Sequence, residues 1–87
     1  MRDKFLKFIN VNDGNVSFIH IDNVISIDLN KQDNKLDIIT KGSNNITEFK
    51  LVDQHQVKRF EYLMLYGDDT LCMEPAFNVL WRSVHYV

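Results

Sequence analysis

Between Val16 and Leu29 the chain reads Val-Ser-Phe-Ile-His-Ile-Asp-Asn-Val-Ile-Ser-Ile-Asp-Leu, the longest run of strand-like alternation in its 87 residues. Apolar groups recur at every second position, which is the period of a pleated strand with one buried face. β-Branched and aromatic residues dominate the run, as they do in strands, and Asp22-Asn23 interrupts it once. The pattern predicts two short strands joined by a bend, with neighbouring strands on either side and a helix across one face. In the first half Ile19 and Ile21 share one face, and Val16, Phe18 and His20 the other. In the second half Ile25, Ile27 and Leu29 are expected inward, with Ser26 and Asp28 outward.

The flanking segments read the same way. Phe5 to Val11 is a strand with apolar groups on both faces: Phe5, Ile9 and Val11 on one, interrupted by Lys7, and Leu6 and Phe8 on the other. Such a strand is either central or meets a partner. Asn12-Asp13-Gly14-Asn15 is a turn, because Gly supplies positive φ and Asn and Asp tolerate it. Polar residues 30–35 form a hairpin loop, Leu36 to Thr40 a strand, residues 41–45 a second turn around Gly42, and Ile46 to Leu51 a further strand. Short strands at this regular spacing are the signature of a meander.

The period then changes. Asp53 is a good N-cap, and Val57, Phe60, Met64 and Leu63 or Leu65 recur at three-to-four spacing. A helix is expected from about Gln54 to Tyr66, stopping near Gly67. Glu74-Pro75 resembles a helix entry, since Pro at the first helical position loses no hydrogen bond. Phe77, Leu80, Trp81 and Val84 fit i, i+3, i+4, i+7 and predict a second helix from about Pro75 to His85. An extended segment is the competing reading, because Val79 to Val87 is also rich in Val, Trp and Tyr. The expected fold class is α+β: an antiparallel meander sheet of four or five short strands followed by one or two C-terminal helices, as one domain over residues 1–87.

Composition narrows the function classes. The net charge of −2 argues against binding dominated by nucleic-acid phosphates. No window reaches the roughly 18 apolar residues that cross a bilayer, and Met1-Arg2-Asp3-Lys4 does not open a signal peptide, so a cytoplasmic location is expected. Cys72 is the single cysteine, which rules out an intrachain disulfide and a Cys-rich metal site. In its apolar setting a buried, inert thiol is the ordinary outcome. Residues 28–39 superficially resemble a calcium loop, but Asp33 stands at the sixth position, which requires Gly, and Ile39 at the twelfth, which requires Glu. The glycines mark turns and form no phosphate loop, and no serine sits in a nucleophile elbow. His20, His55 and His85 have no ligand spacing, and Asp68-Asp69 reads as a solvated loop. An enzyme or a cofactor is therefore not expected.

Two groups of residues are candidate contacts. Phe77, Leu80, Trp81, Val84 and Tyr86 are a large apolar load for the end of a small chain. They either finish the core, cover a second sheet face, or dock on another copy. Lys4, Lys7, Phe8 and Phe18 place bases beside strand aromatics, an arrangement that can stack nucleic-acid bases, although strand aromatics more often belong to a core. Lys50, Lys58 and Arg59 read as a solvated helix face.

The segment Ile21-Asp22-Asn23-Val24-Ile25-Ser26-Ile27, within the pattern from Val16 to Leu51, resembles several families of short bacterial and phage proteins. The resemblance carries no functional residue and implies no activity. The expectation is a small non-enzymatic protein-interaction module, acting as an adaptor or regulator and self-associating as a homodimer, with an unidentified protein as a further partner. The alternative is a small nucleic-acid-binding regulator using Lys4, Lys7 and the strand aromatics.

Overall fold

The computed structural model describes residues 5–42, 44–66 and 76–86. Among these, six strands and one α-helix follow in the order β1 (Phe5–Asn10), β2 (Val16–His20), a single 3-10 turn (Ile21–Asn23), β3 (Val24–Asn30), β4 (Lys35–Thr40), β5 (Asn45–Leu51), α1 (Gln54–Tyr66) and β6 (Ala76–Tyr86). The strands form one sheet in the order β2-β1-β6-β5-β4-β3. β1 and β6 are parallel, and every other neighbouring pair is antiparallel.

This corrects the expected antiparallel meander with one or two terminal helices. The sheet is mixed, with a single helix after β5. The predicted second helix over 75–85 is the strand β6 over its described part. A β-bulge explains the mimicry. Lys50 opposes Trp81 and Leu51 opposes Val79, so Leu80 is an extra residue in the ladder. The inserted residue breaks the two-residue period and leaves Phe77, Leu80, Trp81 and Val84 at three-to-four spacing. β-Branched and aromatic side chains pack well on a pleated surface, and β1 and β5 supply ladder partners on either side.

The central run is built as expected, as two strands joined by a bend. β2 and β3 run in the same direction, because the ladder reverses an even number of times between them. They are two halves of one bent strand, the first paired with β1 and the second with β4. They are also the two outer strands of the sheet. In a flat sheet such strands would lie about 24 Å apart, whereas the three-residue turn spans at most roughly 13 Å. The sheet must therefore curl. The Lys41 N–H donates to the Asn23 carbonyl at 2.7 Å, and Phe18, Ile19 and His20 of β2 share a cleft with Thr40 of β4 and Thr47 of β5. Ile25 is the exception to the predicted alternation. The register shifts between Val24 and Ser26, and Ile25 is 62% exposed.

The concave face holds the core. Leu6 and Phe8, Leu36 and Ile38, Phe49 and Leu51, and Phe77 and Val79 are buried against Val57 and Phe60 of α1. Phe8 stacks on Phe49 with ring centroids 4.1 Å apart, and Phe60 meets Phe77 edge-on at 5.1 Å. Asp53 caps α1 as expected, its Oδ1 accepting from the Gln56 N–H at 3.0 Å. Buried Gln56 then locks β6 to the helix: its Oε1 accepts from the Asn78 N–H and from Arg59 Nη1, both at 3.1 Å. Arg59 also donates to the Ala76 carbonyl at 3.1 Å and lies over the Phe77 ring. No described helix is long and apolar enough to cross a membrane.

Candidate functional site

The residues singled out from sequence do not assemble into one site. Phe77 is in the core. Leu80 is the bulge residue and is half-buried. Trp81 faces outward opposite Lys50, whereas Val84 and Tyr86 lie on the concave side and are exposed. Strand geometry thus divides the five residues between two faces. Phe8, proposed as a base contact, is buried at 1% exposure, and Lys4 lies outside the described residues. Lys7 and Phe18 do come together. They are cross-strand partners, with the Lys7 ammonium 5.7 Å from the ring centroid and Phe18 59% exposed. Phe5 meets Phe18 and His20 edge-on at 6.3 and 4.9 Å.

The histidines stay apart. His20 Nδ1 accepts from the Asp22 N–H at 3.1 Å and so caps the 3-10 turn. His55 is exposed at the start of α1. His85 Nε2 lies 3.3 Å from Glu48 Oε1. Among the described residues no group of His, Cys, Asp and Glu is placed to hold a metal ion. Asp68, Asp69 and Cys72 lie outside those residues.

On the convex face Asp28, Asp37 and Glu48 stand side by side across β3, β4 and β5. Asp37 Oδ1 is shut off from solvent with no hydrogen-bond partner. Burial, with the neighbouring Glu48 and Asp28 charges, raises the Asp37 pKa above its ordinary value of 3.8, partly countered by His85. Like charges directly opposite in a ladder are destabilising, so this row bears on stability.

The feature best shaped to receive another molecule is a groove between β3 and α1. Its construction follows from the helix. Val57 and Phe60 point into the core, and one turn later Met64 and Leu65 lie beside β3, with Leu65 65% exposed. Ile27 and Leu29, on the concave side of β3, form the opposite wall. The groove has a volume of about 370 Å³ and an apolar lining, with the Lys31–Glu61 ion pair at its rim. Among the described residues β3 has β4 as its one strand neighbour, so its other edge offers backbone N–H and C=O groups beside the groove. The Gln54 amide donates to the Lys31 carbonyl at 2.7 Å, fixing the start of the helix against the β3–β4 turn. The sequence signal for this site is Leu63-Met64-Leu65: three consecutive apolar residues exceed what a single inward stripe requires. Comparisons with known proteins add no template, since no family model, curated protein or solved structure matches the chain.

Proposed function

We propose that the chain is a non-enzymatic protein-interaction module that captures an extended segment of a partner protein along β3. The observation that carries this reading is an outer strand lying next to an apolar groove walled by a helix. Strand addition uses both features: the edge backbone supplies affinity through main-chain hydrogen bonds, and the groove selects side chains at alternate positions. An incoming strand beside Ser26–Asn30 would place apolar groups about 7 Å apart against Ile27, Leu29, Met64 and Leu65. The register shift at Val24–Ser26 and the Lys31–Glu61 pair bound the productive length. A concave groove suits one inserted strand better than the scattered C-terminal residues suit a two-fold interface.

A display library of extended peptides tests this. Enrichment of alternating apolar residues is expected, with loss of binding in Leu65→Asp and an unchanged melting midpoint, because Leu65 is exposed. Absence of any enriched pattern, or equal binding by the variant, overturns the reading. A dimer in solution that Leu65→Asp dissociates would identify the inserted strand as a second copy of this chain.

One observation favours a second reading. The Lys7–Phe18 pair, flanked by Phe5 and His20, forms an exposed aromatic platform with a cation. Single-stranded nucleic acid stacks on such platforms with strong salt dependence. Binding of an oligonucleotide that weakens steeply with salt and is lost in Phe18→Ala would support it.

A further inference from the structure

The free edge of β3 offers its hydrogen bonds at defined residues. The Leu51 N–H donates to the Asn34 carbonyl at 2.7 Å, on the register that pairs Lys35 with Lys50. Hydrogen-bonded pairs alternate along an antiparallel ladder. Leu36 and Ile38 therefore turn their backbone to β5, and Lys35, Asp37 and Ile39 turn theirs to β3. Their partners there are Asn30, Asp28 and Ser26. The N–H and C=O groups of Ile27 and Leu29 consequently point away from β4, along the open edge. The side chains of the same two residues line the groove, where Met64 and Leu65 leave apolar surface open at 37% and 65% exposure.

A strand docked on this edge pairs two of its residues with Ile27 and Leu29. Residues directly opposite one another share a face of the sheet, so both of those side chains enter the groove. The residue between them lands on the convex face, opposite Asp28. In an antiparallel ladder that is a non-hydrogen-bonded pair, the closer of the two kinds, with Cα atoms about 4.5 Å apart.

That position is negative. Asp28 is the outermost member of the row it forms with Asp37 and Glu48. Lys35 and Lys50 stand on the same face two residues from Asp37 and Glu48, whereas Asp28 has only Ser26 and Asn30 at that spacing. Among the described residues the ion pairs lie elsewhere and leave Asp28 without a cation. Burial, with the Glu48 and Asp28 charges, raises the Asp37 pKa, which marks the row as short of positive charge.

We infer that, given capture of a strand on β3 as proposed, the segment received carries a basic residue between two apolar ones, the apolar pair in the groove and the basic side chain against Asp28. A second copy presenting its own β3 is the wrong occupant. Paired antiparallel, the hydrogen-bond phase would set Ser26, Asp28 or Asn30 against Asp28, and none of these is a cation.

The test uses three capped peptides, Ser-Thr-Leu-X-Leu-Thr-Ser with Lys, Gln or Glu at X. They are titrated into isotope-labelled protein at low salt and read by backbone amide shifts. Shifts at Ile27, Leu29 and Leu65 are expected with all three. Affinity should fall from Lys to Gln to Glu, by about tenfold across the series, and the spread should narrow as salt is added. In Asp28→Asn, at an exposed position, the Lys and Glu peptides should bind within about twofold of each other. Equal binding of the three peptides by the unaltered protein, or a preference for Glu, overturns the inference and leaves strand capture standing. Shifts confined to Asp28, Asp37 and Glu48 overturn it as well. Absence of binding by every peptide overturns strand capture and the inference together. The peptide comparison uses the unaltered protein, so it holds even if the variant fails to fold.

Discussion

The two halves of β6 have similar apolar content and opposite fates. Phe77 and Val79 in the first half are buried, whereas Val84 and Tyr86 in the second, on the same concave side, are exposed. Each half is laddered along one side, the first to β1 and the second to β5. The difference lies in what covers them. Gln56, Arg59 and Phe60 of α1 close over the first half; no described helix closes over the second. Apolar character and strand pairing were therefore not enough to place these side chains in the core, and the helix decided which half became part of it.

If so, substitutions along β6 and its cover should fall in a steep order. Phe77→Ala removes a ring that touches Phe8 and Phe60 and is expected to cost about 3–5 kcal/mol. That reaches the lower end of the stability expected for a chain this short, roughly 4–13 kcal/mol at 0.05–0.15 per residue. Chemical denaturation should show the largest drop in midpoint of the series. Gln56→Ala leaves the Asn78 N–H without its partner and should cost about 1–3 kcal/mol, measured as a lower denaturation midpoint with an unchanged slope. Tyr86→Ala, at a residue 81% exposed, should move stability by no more than about 0.5 kcal/mol. A large loss there would show that the second half is covered after all.

The smallest effect concerns the outward side of the same half, where Ser83 ends the acidic row of Asp28, Asp37 and Glu48. The folded Asp37 pKa is raised above 3.8, so between the unfolded and folded values the native state holds more protons than the unfolded one. Stability then falls as pH rises through that window, and the loss is complete above the folded value. Asp37→Asn should raise the melting midpoint at neutral pH. The advantage should shrink as pH falls and vanish below about 3.8. An equal gain at every pH would assign the effect to packing instead.

The sequence and structure agree best where the pattern is local. The bent strand over Val16–Leu29, the turns around Gly14 and Gly42, and the capped helix from Gln54 to Tyr66 all stand where the residues indicated. The misreading at β6 has a local cause as well, since one bulge residue turned a two-residue period into a helical one. Gln56 gives no signal in the sequence, because a polar residue within an apolar stripe has no visible partner until β6 lies beside it. The groove was half legible, in the surplus of Leu63-Met64-Leu65, but its other wall comes from β3, more than thirty residues away in the chain.

By itself the sequence determined the short-range quantities: which segments extend, where they turn, and where a helix begins. Those follow from side-chain period, backbone freedom and capping, which act over a few residues. Only the tertiary structure decided that β6 enters between β1 and β5, that the sheet curls so its outer strands form one bent strand, and that Arg82 turns inward instead of Trp81. Each depends on pairing between segments far apart in the chain, where local propensity is silent and the burial of a shared core selects among arrangements that look alike from the sequence.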